Sequence, residues 1–300
     1  SALRLGLEEN VAEEGTSVSF DQAQTVALKK VNDLSGLTNA DRLKVKNLVK
    51  SFIEEGEYLI GGEITLTRRR NSPYRMYELT PRQTRKIFSE RGWSKVVGFH
   101  TRNVPHKSHE FIQMEAFEKN LADGLFVHPI IGKKKKGDFE ADAIIEAYEN
   151  AIDVFYPKNK VVLSAFASYS RYAGPREALF TALVRKNYGC SHFIVGRDHT
   201  GVGNYYHPKA AHEIFSKFPS EDLGITPVIF DRIFYSSKNG KYLEEKEGES
   251  HPESKKFNIS GTQVREMLKR GKSPPEWFMR KEISKIILNK IKKGKKVFVE

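Results

Sequence analysis

Between residues 91 and 229 the chain alternates two hydrophobic rhythms. Short apolar runs begin with Val96 to Phe99 in VVGF and recur in GLFVHPII, VVLSAFA and HFIV, each of a length suited to a strand buried on both faces. Between them lie longer segments with apolar residues at helical spacing: SHEFIQMEAFEKNLA, DFEADAIIEAYENAIDVFY and GPREALFTALVRKNYG, the last stopped by Gly189. A further helix is predicted from Pro81 to Arg91, because proline at the first helical position loses no needed hydrogen bond and Thr80 precedes it. Such alternation specifies an α/β fold, a doubly wound and mostly parallel sheet with helices on both faces. Ligands of such sheets bind beyond the carboxyl ends of the strands.

The flanks have different patterns. SALRLGLEENVAEEGTSVS has mixed charge and little periodicity, as a flexible arm would. FDQAQTVALKKVNDL and NADRLKVKNLVKSFIEEGE carry apolar residues at helical spacing, among them Leu43, Leu48, Val49 and Phe52, and predict a helical pair before the strand-like EYLIGGEITLTRRR. At the other end PPEWFMRKEISKIILNKIKKGKKVFVE predicts a helix and a strand-like tail. Three regions are expected: an N-terminal region over 1–90, a doubly wound domain over 91–229, and a small C-terminal α/β subdomain over 230–300.

Composition narrows the class. A chain of 300 residues, 39% hydrophobic and 29% charged, can bury a sizeable core. No run reaches the roughly 18–20 apolar residues of a membrane span and no signal-peptide core opens the chain, so a cytoplasmic protein without membrane partners is expected. Cys190, the single cysteine, has no internal disulfide partner, and its place in YGCSHFIV suits packing better than reactivity. A net charge of +12 raises nucleic acid as a partner. The lysines are dispersed, however, and no nucleic-acid motif accompanies them, so none is expected. The one sharp run, Lys133 to Lys136, reads as a solvated loop that could also steer anions.

Three turns carry candidate chemistry. In VVGFHTRNVPHKSHE a strand opens into a polar turn exposing Arg102 and Asn103, and His106 and His109 share a helical face where the next helix begins. Two imidazoles and a guanidinium suit a polyphosphate, since they donate several hydrogen bonds to charge that shifts between oxygens. Alone, H-x-x-H is more often surface or core than catalytic, and it can be half a metal site. IVGRDHTGVGNYY repeats the pattern, with Gly196, Arg197, Asp198 and His199 after a strand. FNISGTQVREML sets Ser260, Gly261 and Thr262 at a helix start with Arg265 one turn on, where helix capping alone would account for the serine.

HTRNVPHKSHE, RYAGPREALFTALVRKNYGCSHFIVGRDHTGVG, ISGTQVREML and PPEWFMR together resemble the ATP sulfurylase (sulfate adenylyltransferase) family, over roughly Gly56 to Lys293. The resemblance implies a Rossmann-like nucleotidyltransferase domain that converts ATP and sulfate to adenylyl sulfate and pyrophosphate with Mg2+, and a homo-oligomer such as a dimer. It assigns Thr101, Arg102, Asn103, His106 and His109 to catalysis. ATP would be held by His100, Thr101, Arg102, Asn103, Gly196, Arg197, Asp198, His199 and Ile233, and by analogy Ser260, Thr262 and Arg265. Sulfate would meet His100, Arg102 and Thr200, and Phe230 falls at a mobile aromatic position.

The chain departs from the family pattern in several places. The expected N-terminal domain is shortened. Ser236 and Ser237 stand where some relatives carry zinc-binding cysteines, so no zinc and no protein-held metal are expected. No G-x-x-x-x-G-K-[ST] is present for an appended kinase. His100 replaces a glutamine that helps bind sulfate, which leaves open another small oxyanion or a weakly active nucleotide-binding relative. A protonated His100 would hold a dianion more tightly, and so predicts sulfate affinity that weakens as pH rises.

Overall fold

The computed structural model describes residues 71–197, 199 and 206–300. The helical pair and YLIGG strand expected before residue 71, and the site candidates Asp198 and Thr200, lie outside these residues. Helix α1 (Pro81–Glu90) starts as its sequence demands: the Thr80 hydroxyl accepts from the Gln83 N–H while the Gln83 side chain accepts from the Thr80 N–H. The chain then alternates β1 (Val96–Thr101), α2 (Lys107–Lys119), β2 (Gly124–Pro129), α3 (Ala141–Phe155), β3 (Val161–Leu163), α4 (Pro175–Asn187) and β4 (His192–Val195). Two short helices, α5 (Ala210–Phe215) and α6 (Ser220–Leu223), lead to β5 (Thr226–Ile229).

All neighbouring strands pair in parallel, in the order β3-β2-β1-β4-β5. The chain winds outward from β1 through β2 to β3, then returns to the other side of β1 for β4 and β5, so the order reverses between β1 and β4. That reversal opens a crevice at their carboxyl ends, where the first two candidate turns emerge.

The period of two along each strand divides the core between two faces. Val97 and Phe99 of β1 and Leu125 and Val127 of β2 pack with Ile112 and Ala116 of α2 and with Ile144 and Tyr148 of α3. Val96, Phe126 and Phe193 face the other way, against Phe88 of α1 and Ala178 and Ala182 of α4. Full burial of a large side chain such as Phe126 or Phe193 contributes about 1.5–3 kcal/mol. Cys190 belongs to this second cluster, and burial pushes its thiol up to about 12, as befits a packing residue.

After β5 comes a small antiparallel sheet of β6 (Ile233–Ser236), β7 (Lys241–Glu244) and β8 (Lys256–Phe257), in the order β7-β6-β8. Helices α7 (Gly261–Lys269) and α8 (Lys281–Lys292) follow, and Val264, Leu268, Ile283 and Ile287 join the first core cluster. The strand-like tail pairs with the segment before α3: Glu140 N–H donates to Val297 O at 2.8 Å, Gly137 N–H to Val299 O at 2.7 Å, and Val299 N–H to Asp138 O at 2.8 Å. Among the described residues no helix is long and apolar enough to cross a membrane.

Candidate active site

The turn after β1 is drawn tight by its own side chain, as Asn103 N–H donates to Thr101 Oγ1 at 3.0 Å. Arg102 projects from it into a three-part clamp. Its Nε lies 3.5 Å from Asp138 Oδ2, and its guanidinium sits 5.0 Å from the centre of the Tyr172 ring. The Tyr172 hydroxyl donates to the same Asp138 oxygen at 2.8 Å. Burial first, and then Asp138, push that phenol up to about 12, so it stays a donor. Asp138 is 1% exposed, and its Oδ1 has no hydrogen-bond partner among the described residues.

In the lysine run Lys133, Lys135 and Lys136 are exposed, as a solvated loop expects, and Lys134 departs from that expectation. Lys134 is buried with Nζ 3.4 Å from Ile130 O, and loss of hydration lowers it to about 8. Lys135 lies 5.1 Å from the Tyr172 ring centre and its N–H donates to the Tyr172 hydroxyl at 3.2 Å. Desolvation lowers the Lys135 ammonium, helped by Arg102 and, more weakly, by Arg265 at the start of α7. Charge from the first turn and from the third therefore meets at this loop.

His106 stands at the N-cap position of α2, without a capping hydrogen bond from its side chain, and stacks on His109 with ring centroids 3.6 Å apart, so the i, i+3 spacing brings the pair face to face. Phe278 closes one side at 4.6 Å from His106, and Phe99 meets His109 edge-on at 5.1 Å. Loss of hydration lowers His106 well below the ordinary value, with His109 adding to the effect, and lowers His109 to about 3. Both rings are neutral near pH 7 and each can donate one N–H.

His100 sits on the sheet face opposite Phe99, beside a residue that sequence reasoning missed. Arg185 of α4 is 0% exposed, and its Nη2 donates to His100 Nδ1 and to His128 O, both at 2.8 Å. Desolvation, then Arg185, then His199 lower His100 well below the ordinary value. Of the two forms open to His100, dehydration and the fixed cation beside it favour the neutral ring over the protonated one that would hold a dianion more tightly. A signal for Arg185 was present in β1. Gly98 interrupts an apolar strand, and a Cβ there would lie 3.0 Å from Arg185 Cγ and 3.1 Å from Cys190 Sγ. A glycine inside a strand marks such close approach.

Beyond β4, Gly196 has open space where a Cβ would stand. Arg197 is exposed next to it. His199 lies with its ring 5.8 Å from that of His100 and 5.4 Å from Phe193, and is lowered to about 3, chiefly by desolvation. Phe230 is buried in the core with its N–H on Val195 O, and Ile233 packs half-buried against the same cluster. At α7 the capping reading accounts for Ser260: its hydroxyl accepts from Gln263 N–H at 3.2 Å while the Gln263 side chain accepts from Ser260 N–H. Thr262 Oγ1 accepts from Arg265 at 3.2 Å.

The ATP-sulfurylase family model matches residues 75–290. This chain belongs to the ATP-sulfurylase family. It is 47% identical over 241 residues to the sulfate adenylyltransferase of Ignicoccus hospitalis, covering 80% of this chain and 62% of that protein. With the sulfate adenylyltransferase of Pyrococcus abyssi the identity is 48% over 232 residues, 77% of this chain and 60% of the relative. The chain thus spans about three fifths of the length of the curated relatives it matches. Among solved structures, the hexameric APS kinase of Thiobacillus denitrificans superposes with a TM-score of 0.58 at 22% identity, over 74% of this chain and 41% of that one. That likeness concerns the fold.

Proposed function

We propose that this ATP-sulfurylase family member is a sulfate adenylyltransferase, converting ATP and sulfate to adenylyl sulfate and pyrophosphate. An oxygen of sulfate attacks the α-phosphorus, the new S–O–P bridge forms, and the bond to the β,γ-pyrophosphate breaks. Sulfate is a dianion at neutral pH, so no proton has to be removed from the nucleophile. Catalysis then rests on holding two anions in line and absorbing the charge that appears on the departing pyrophosphate. The observation that carries this reading is that the segment leaving the carboxyl end of β1, at the sheet's reversal point, bears both the clamped Arg102 and the stacked His106–His109 pair.

Arg102 would hold sulfate, with Thr101 and Asn103 setting the turn. His106 and His109 would donate to phosphate oxygens as their charge grows, a task that suits neutral rings with one N–H each. Gly196, Arg197 and His199 would receive the nucleotide, and Thr262 and Arg265 its outer phosphates; Asp198 and Thr200 belong to this reading from sequence alone. Among the described residues no group of three His, Cys, Asp or Glu could hold a metal ion. Mg2+ would come with the substrate, on the phosphates of ATP, neutralising part of their charge.

The test is pyrophosphate release from MgATP with and without sulfate, on protein shown by circular dichroism to be folded. Sulfate-dependent release, with adenylyl sulfate formed in equal amount, is expected. Folded protein that turns over in neither direction would overturn the assignment.

A further inference from the structure

Arg185 is a fully buried guanidinium whose surroundings define what His100 can do. It runs along β1 over Gly98 and ends under His100, between Phe166 at 4.9 Å and Phe193 at 6.0 Å from its charge centre. A guanidinium has five N–H donors and no acceptor. At a separation of 2.8 Å, His100 Nδ1 must therefore accept, and its lone pair points at Arg185. The one proton of a neutral ring is then on Nε2. A proton on Nδ1 would set N–H against N–H beside a buried cation. The groups facing His100 are Arg185 from α4, His128 from β2, His199 beyond β4 and Arg102 from its own turn. Among the described residues no carboxylate is one of these groups.

We propose that Arg185 is a positioning residue that fixes His100 as a neutral imidazole protonated on Nε2, so that this position can only donate to a bound oxyanion and discriminates against oxyanions that carry a proton. The identity of the anion rests on the proposed function; the fixed tautomer does not. Sulfate at neutral pH offers acceptor oxygens alone. Phosphate and arsenate keep at least one hydroxyl, which needs an acceptor of its own. A glutamine at this position could turn its amide to present either a donor or an acceptor, whereas an imidazole held through Nδ1 has only its N–H to give. A hydroxyl aimed at that N–H loses a hydrogen bond in a dehydrated site, and buried donors left unmatched are what make polar pockets selective.

The tautomer can be read by long-range 1H–15N correlation spectra of protein labelled with 15N-histidine, with His100 identified by the signals missing from His100→Gln. The expected result is a neutral ring protonated on Nε2, unchanged between about pH 8 and pH 6, a window bracketing the reference value. An Nδ1–H ring, or an imidazolium forming within that window, would overturn the proposal. The selectivity is read by titrating sulfate and inorganic phosphate separately into the protein by calorimetry. In Arg185→Gln the new amide can donate or accept, which frees the ring to turn its acceptor outward. Sulfate-over-phosphate preference should fall about tenfold, the scale of one mismatched hydrogen bond. A preference unchanged while the spectrum reports a released tautomer would overturn the selectivity step. If Arg185→Gln does not fold, His100→Asn takes its place, since it keeps a short amide able to present either group and should narrow the same preference. Absence of turnover with sulfate would count against the proposed reaction alone, because the spectrum is taken on the protein without substrates.

Discussion

Neutral rings and a clamped guanidinium divide the work at the level of single residues. His106 and His109 are dehydrated by the aromatic rings around them, so what they offer a charged transition state is a fixed N–H, not a charge. Replacing either by alanine should lower kcat by about 10²-fold or more, the scale for losing one such donor. A change confined to KM would show ground-state binding instead. Arg102 is different, because its aim depends on Asp138 and Tyr172. Asp138→Asn keeps the shape and removes the charge that holds Arg102, and should raise KM for sulfate several-fold with a smaller effect on kcat; steady-state kinetics with sulfate varied will decide. H-x-x-H and Arg102 were legible because their neighbours in sequence are their neighbours in space. Asp138, Tyr172 and Arg185 were not, since each is brought to the first turn from a distant segment, and in sequence Arg185 looks like an ordinary cation in the last turn of a helix.

Elements were read more easily than side-chain partners, because a strand buried on both faces and a helix buried on one impose periods that survive without knowledge of the partner. Strand β1 runs to Thr101, two residues past its apolar run, since His100 and Thr101 still pair with His128 and Pro129 of β2. The start of α7 shows where a local signal has two readings. A serine before a helix can cap it or hold phosphate, and here Gln263 takes up the Ser260 hydroxyl. Ser260→Ala should cost about 1 kcal/mol of stability, the usual penalty for a lost cap. Ser260→Asn, which caps without a hydroxyl, should restore most of it. Unfolding midpoints in urea give the ordering, and KM for ATP should follow the cap. An asparagine variant with restored stability and weakened ATP binding would return the hydroxyl to the phosphates.

Across the whole molecule the same dehydration that keeps the site neutral makes folding sensitive to acid. His100, His106, His109, His128 and His199 are all lowered, mainly by loss of hydration, with His109 and His199 reaching about 3. In the unfolded chain each takes up its proton near the reference value of about 6.5. Below that pH the unfolded state binds more protons than the native one, so stability falls as pH falls through the interval down to the folded values. Above it the rings are neutral in both states and add no slope. His128 serves to test the effect, because it is not one of the candidate site residues and its ring packs among Phe126, Phe166 and Tyr188. Phenylalanine fits that aromatic setting and does not titrate, and the backbone carbonyl that accepts from Arg185 is kept. The measurement is the free energy of urea unfolding from about pH 8 to pH 5, spanning the reference value, in wild type and His128→Phe. The two proteins should run parallel on the alkaline side. Below the reference value the variant should lose stability more slowly, by up to about 1.4 kcal/mol per pH unit for one proton no longer taken up on unfolding. Equal slopes in acid would mean that His128 takes up its proton in the folded protein as readily as in the unfolded chain.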